Sequence, residues 1–334
     1  MRIVEVDAAD RTATQECFEV TRAALEVDDP FGPPLSIRRL RGWLEYPPDP
    51  AETWLCREEG SGTAQGWCHF IRPERENRDR AFLFHLTVCP SARRRGIGTA
   101  LLRHAAGRAA SHGRSLLRGE ALQGSAGAAF AARVGATAGL VDARRVLVLA
   151  TIPDGRIASL REQAARAAAG YSLVSWEGRT PDAYVDRYAE ASSAMSDAPH
   201  DAGAEPWVWD AARVKHQDDL RERQGRHVYT LAALHAATGE MAAVTQVQTG
   251  SDDREWGDQL VTAVTRPHRG HRLGLLVKTA MLDWLATAEP QLGRIVTGNA
   301  AVNQYMIAIN EALGYELLEP LAQSYELAVD AVPR

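Results

Sequence analysis

Arg93-Arg94-Arg95-Gly96-Ile97-Gly98 follows at once on the apolar run Phe82-Leu83-Phe84-His85-Leu86-Thr87-Val88, and an amphipathic stretch begins at Thr99. A strand, a cationic glycine-bearing turn and a helix start, in that order, gather main-chain N–H groups and a helix N-terminus around one point. That arrangement suits a pyrophosphate. Gly96 and Gly98 let the backbone come close, and the three arginines add charge that can grip phosphate oxygens in pairs. An altered copy, Arg269-Gly270-His271-Arg272-Leu273-Gly274, stands between a second strand-like run and a second helix. There Arg272 takes the place of Gly96. Arginine keeps its N–H but cannot adopt every backbone angle open to glycine, so anion binding at the second turn stays open.

These turns need elements to hold them. Hydrophobic periodicity predicts a strand over residues 1–6, a helix over 8–27 and a short helix over 36–44. The Asp28–Pro34 stretch, with three prolines and a glycine, breaks either period. Strands follow at 52–57, 65–72 and 81–88, then a helix at 99–112, a strand at 116–122, a short helix at 126–134 closed by Gly135, and a strand at 146–149. An Arg/Ala/Glu helix at 153–170 reads as a connector. Beyond it the order returns: strand 171–176, helices 181–194 and 210–224, strands 227–236, 241–248 and 259–265, helix 275–288, strand 294–298, helix 303–313 closed by Gly314, and strand 324–329.

Gly98 and Gly274 lie 176 residues apart, as do Arg93 and Arg269, and Gly135 and Gly314 lie 179 apart. Strand, anion turn, long helix, strand, short helix and glycine recur in one order, which identifies a duplicated fold. The expected organisation is a first domain at 1–152, a linker helix at 153–170 and a second domain at 171–334, each a mixed α/β (α+β) sheet.

Composition narrows the class. The chain has 334 residues, 45% of them hydrophobic and 24% charged, with a net charge of −5. Two cores fit that length, and the acidic balance argues against a nucleic-acid partner. Its arginine-rich, lysine-poor basic set and abundant alanine suggest a GC-rich bacterial genome. Cys17, Cys56, Cys68 and Cys89 have no CxxC spacing and read as free thiols in a reducing cytoplasm. No run approaches the ~20 apolar residues of a membrane span, so a cytoplasmic protein without a membrane partner is expected. His268 and His271 lack further ligands nearby, and no metal is expected. A homodimer is compatible with the sequence.

The residues resemble the GNAT superfamily of acyl-CoA-dependent N-acetyltransferases, in the tandem form of bacterial, actinobacterial-like proteins. The first half carries the family's Arg/Gln-x-x-Gly-x-Gly/Ala turn as Arg93 to Gly98, followed by Thr99-Ala100-Leu101-Leu102. The second half carries Arg269 to Leu275, then Thr297-Gly298-Asn299-Ala300, Asn303, Met306, Asn310 and Leu313-Gly314-Tyr315. The resemblance implies two tandem GNAT folds, each with a V-shaped sheet whose splayed central strands admit pantetheine, and acetyl-CoA as cofactor. It places the cofactor against Leu86, Val88, Arg93, Arg94, Arg95, Gly96, Ile97, Gly98 and Thr99 in the first half. In the second half the matching positions are Val264, Arg269, Gly270, Arg272, Leu273, Gly274, Asn299 and Asn303.

The implied reaction transfers acetyl, or a related acyl group, to the primary amine of a small molecule. It needs a base for the ammonium proton, a main-chain N–H for the oxyanion and an acid for the thiolate. The family's tyrosine four residues before the helix-closing glycine is missing twice, as Ala131 and Asn310. Candidate acid–base residues are His85 in the first half and Asp258 and Tyr305 in the second, and Glu120 is a candidate for orienting the acceptor amine. Two alternatives stay open: a non-catalytic acyl-CoA-binding sensor, and an amide-forming transferase similar to mycothiol synthase.

Overall fold

A computed structural model describes residues 1–333. Strand β1 (Arg2–Glu5) pairs antiparallel with β2 (Ala51–Arg57), β2 with β3 (Ala64–Ile71), and β3 with β4 (Arg80–Val88). Between β1 and β2 lie α1 (Arg11–Asp28) and α2 (Ile37–Glu45). Asp10 starts α1 by accepting the amides of Thr12 and Ala13 at 2.9 and 3.1 Å, and Ser36 starts α2 by accepting that of Arg39 at 3.0 Å.

The decisive feature is the departure of β4 from β5 (Leu116–Leu122). The two pair in parallel from Arg80–Leu116 to Leu83–Gly119 and no further. Just there, one extra residue interrupts the β3–β4 ladder, between the pairs His69–His85 and Phe70–Leu83. A bulge of this kind bends its strand and raises its twist, so β4 swings away over its last residues. Helix α3 (Ile97–Ser111) then begins at the turn, followed by α4 (Ala126–Arg133) and β6 (Thr137–Val148).

The second half repeats the plan. After α5 (Arg156–Ala167) come β7 (Tyr171–Glu177), α6 (Val185–Ser193), α7 (Ala211–Arg223), β8 (Arg226–His235), β9 (Met241–Gly250) and β10 (Trp256–Val264). Then follow α8 (Leu273–Ala288), β11 (Arg294–Ala300), α9 (Gln304–Leu313), the two-residue β12 (Glu316–Leu317) and β13 (Ala322–Ala328). Strand β10 pairs in parallel with β11 only through Asp258–Val296, and its ladder with β9 also gains one residue, between Gln259 and Thr262. The splay and the bulge are therefore both duplicated.

The chain forms two compact units whose limits differ from the expected 152 and 171. One comprises Met1–Asp142, His200–Glu205 and the residues from Glu319 onward; the other comprises Ala143–Pro199 and Pro206–Leu318. The expected connector is no free linker. Within the second unit, Leu160 and Ala164 of α5 belong to the core around Leu276, Met281 and Leu285 of α8. The last strand closes the first unit instead of the second. Strand β13 pairs antiparallel with β5 from Ala322–Leu122 to Ala328–Leu116, and with the first part of β6 from Ala322–Asp142 to Glu326–Thr137.

The 200–205 segment is tied into the same unit. Asp201 accepts from Arg118, from the Leu140 amide and from Ser324, while Asn77 and Glu205 exchange main-chain and side-chain bonds. A Cβ on Gly139 would lie 2.5 Å from Asp201, so that approach requires glycine. Two apolar layers fill the first unit. Phe70, Leu101 and Leu117 lie in one, and Val20, Leu40, Leu55 and Trp67 in the other.

Candidate active-site cleft

Each anion turn contains two left-handed backbone positions. In the first they are Arg94 (φ +63°) and Gly96 (φ +84°); in the second, Gly270 (φ +88°) and Arg272 (φ +53°). One glycine and one arginine serve each turn, in exchanged order. The second turn thus keeps its shape despite Arg272, at a strain of about 1 kcal/mol for a residue with a Cβ. In α3 the Ala100 amide reaches the Gly96 carbonyl at 3.0 Å, and in α8 Leu276 reaches Arg272 at 3.0 Å. The amides before them have no helical acceptor and carry the positive end of the helix dipole.

The arginines divide their tasks. Arg93 makes a two-point bond to Asp28 at the end of α1, at 3.0 and 2.5 Å, and also donates to the Val88 carbonyl. Arg95 pairs with Glu58 at 2.7 Å. Arg94 makes no ion pair among the described residues, and it lines a cleft. The second turn shows the same anchor: Arg269 donates to Asp197 at 2.5 Å and to the Val264 carbonyl at 3.2 Å. Arg266 shares Asp197, and the bonds from Arg266 and Arg269 outweigh desolvation to hold that carboxyl at about 2.

The cleft has a volume of about 680 Å³ and lies wholly within the first unit. It starts at Arg94, Gly96, Gly98 and Thr99, passes along Leu86 and Val88 of the departing β4, and reaches Leu35 and Trp43. One wall is α4, which offers the small residues Ala126, Gly127 and Ala129. Their counterparts 179 residues on are Tyr305, Met306 and Ala308. Gly98 is half-buried with its Cβ direction 3.5 Å from Phe130, whereas Gly274 is buried and its Cβ direction meets Ile309 at 3.1 Å. The second copy is therefore packed where the first is open.

Residues 14–129 match the acetyltransferase (GNAT) family. A solved tandem GNAT protein from the clavulanic acid biosynthesis pathway, in its form without AcCoA, is 28% identical with a TM-score of 0.82 over 98% of both chains. The chain has a tandem GNAT fold. A GCN5-related N-acetyltransferase from Sphaerobacter thermophilus shares the fold at 15% identity and a TM-score of 0.69, over 98% of this chain and 95% of its own. So does a glucosamine N-acetyltransferase region of a fungal GH3 β-N-acetylglucosaminidase, at 14% and 0.68, over 98% of this chain and 38% of that one. A search of curated proteins gives no match.

Within this tandem GNAT fold the expected residues separate. Leu86, Val88, Arg93, Arg94, Gly96, Ile97, Gly98 and Thr99 all line the cleft; Arg95 does not. His85 lines it too, stacked on Trp67 at 4.5 Å and edge-on to Phe84 at 5.2 Å. Its Nε2 is sealed from solvent and has no hydrogen-bond partner. Burial, and then neighbouring His69, push its imidazole well below the usual value, so it is neutral at pH 7.

Glu120 sits outside the cleft on β5, 3.4 Å from Arg118. In the second unit, Asp258 accepts from Gln248 at 3.1 Å, and Tyr305 is 87% exposed on α9. Leu273 is core, Asn303 caps α9 by accepting the Met306 amide, and Asn299 accepts from Asn310 at 2.7 Å. Asn310 in turn accepts from the buried Lys278 at 2.7 Å. Sequence reasoning missed Asp28, Leu35, Trp43 and Lys278. Trp43 was findable as the aromatic of a short amphipathic helix, and Lys278 as one of only two lysines.

Proposed function

We propose that the first unit binds an acyl-CoA and transfers its acetyl, or a related acyl group, to the primary amine of a small molecule. One observation carries this reading: a single cleft joins the amides and Arg94 of the first turn to Leu86, Thr87 and Val88, the part of β4 beyond its last pair with β5. The diphosphate fits the amides and Arg94, and the small residues of α4 leave room for the pantetheine arm along Leu86 and Val88. The 28% identical relative belongs to a small-molecule pathway, which supports a small-molecule acceptor over a protein one.

In the reaction the neutral amine nitrogen attacks the thioester carbonyl, the C–S bond breaks, CoA leaves as thiolate, and the proton shed by the new amide nitrogen goes to that thiolate. A thiol of pKa about 8.5 can leave near neutral pH with little help. Water in the cleft takes the ammonium proton, because the neutral His85 imidazole is a weak base here. From its place on β5 outside the cleft, Glu120 would orient the acceptor only as it approaches. Asp258, Tyr305 and the second turn would serve a separate, subsidiary site in the second unit. A cytoplasmic setting follows from the donor; among the described residues no helix is long and apolar enough to cross a membrane.

The test is calorimetry with acetyl-CoA, followed by an amine panel read out by thiol release. A flat titration overturns the proposal. A second reading, a non-catalytic acyl-CoA sensor, is favoured by two observations: burial makes the histidine in the cleft wall a weak base, and Asp28 is occupied by Arg93. Tight binding with no thiol release across the panel selects it.

A further inference from the structure

Past the β4 bulge the cleft does not end. It continues into the apolar layer beneath α1 and α2, between Ala24 and Leu25 on one side and Leu35 and Trp43 on the other. The hydroxyl nearest this layer is already engaged. The Thr21 hydroxyl donates to the Cys17 carbonyl at 2.8 Å and accepts from Trp67 at 2.9 Å. His85 offers an uncharged ring. The Arg39 guanidinium lies over the Trp43 ring at 5.0 Å. One continuous cavity thus has a strongly anion-selective end and an apolar end, and such a site selects an amphiphile.

We infer that the apolar end receives an unbranched hydrocarbon acyl chain of about four to eight carbons, so that the donor is a medium-chain acyl-CoA in preference to acetyl-CoA. The inference rests on the acyl-CoA reading and adds the identity of the acyl group. Acetyl alone would leave the wall from Leu35 to Trp43 facing solvent, whereas each further methylene removes apolar surface from water. Burial of that kind tightens binding by about two- to fourfold per methylene. Arg39 supplies the competing possibility, an acyl group ending in carboxylate, and the same experiment decides it.

The experiment titrates the intact protein calorimetrically with CoA, acetyl-, butyryl-, hexanoyl-, octanoyl- and succinyl-CoA. The expected result is measurable CoA binding and a dissociation constant falling two- to fourfold per methylene from acetyl to hexanoyl. Ala24→Leu, which adds bulk to the wall, should abolish that gradient while CoA itself binds as before. Leu35→Ala supplies an independent variant should the first misfold, and should flatten the gradient by at least half. Equal affinity for all chain lengths, or succinyl-CoA as the tightest ligand, overturns the inference while leaving the acyl-CoA site standing. Failure of CoA and every thioester to bind overturns both.

Discussion

The three neighbouring arginines offer a sharp trial, because the structure gives each a different task. Arg93 and Asp28 are 21% and 25% exposed at their side chains and meet at two points. Such a pair falls between a surface ion pair, worth about 0–1 kcal/mol, and a buried one whose breakage costs about 3–5 kcal/mol. Arg93→Ala should therefore cost about 1–3 kcal/mol of stability, and a unit of this size loses roughly 2–4 °C of Tm per kcal/mol. A drop of about 3–10 °C is expected by circular dichroism. Arg94→Ala breaks no ion pair among the described residues and keeps a Cβ at the left-handed position, so its Tm should hold. It removes a charged donor to phosphate, nominally about 1.5–3 kcal/mol, and its exposure places the loss at the lower end, near tenfold in acyl-CoA affinity. Arg95→Ala, with its partner on the surface, should alter neither measurement appreciably. If Arg93→Ala kept its Tm but lost affinity while Arg94→Ala bound normally, the division of tasks would be refuted.

Three further outcomes are expected. Gly98→Ala, with an ordinary 3.5 Å contact to Phe130, should stabilise α3 by about 0.5–1 kcal/mol yet weaken acyl-CoA binding, whereas Gly274→Ala should leave affinity unchanged; equal losses by calorimetry would contradict the open-and-packed contrast. Burial raises the Glu52 carboxyl, but bonds from Arg108 and His112 outweigh it and hold it at about 2, so its contribution is present above about pH 4.5 and lost as pH falls towards 2. Urea melts of Glu52→Gln should show lower stability at pH 7 and a flatter acid limb. Burial pushes the Lys278 ammonium down to about 7, so the unfolded chain binds more protons between pH 7 and 10.5 and stability should rise with pH across that window. Lys278→Met should remove the rise; an unchanged slope would refute the assignment.

Local signals carried most of the architecture. The apolar runs in 52–57 and 65–72, buried on both faces between two layers, and the helical spacing after Gly98 and Gly274 place their elements within two residues or so. Where the reading fell short, the cause lies at long range. Nothing near Arg93 announces Asp28, 65 residues earlier, and nothing near Arg269 announces Asp197, 72 residues earlier. Strand β6 extends from Thr137, nine residues before its apolar run begins, because β13 supplies its partner from the far end of the chain. Arg272 looked like a defect in the second turn until Gly270 proved to occupy the other left-handed position. The cleft is written in small residues, Gly127 and Ala129, whose meaning depends on what faces them.

The placement of β13 has a consequence for biosynthesis. Most of the unit that contains the candidate cleft is translated before the other unit, yet the slot between β5 and β6 is filled by Ala322–Ala328. Until those residues leave the ribosome, two strands present bare hydrogen-bonding edges, the sort of surface that recruits stray partners. Cutting the chain at its apparent midpoint would thus yield two fragments that each lack something, and the earlier-made half would be the one left unsealed.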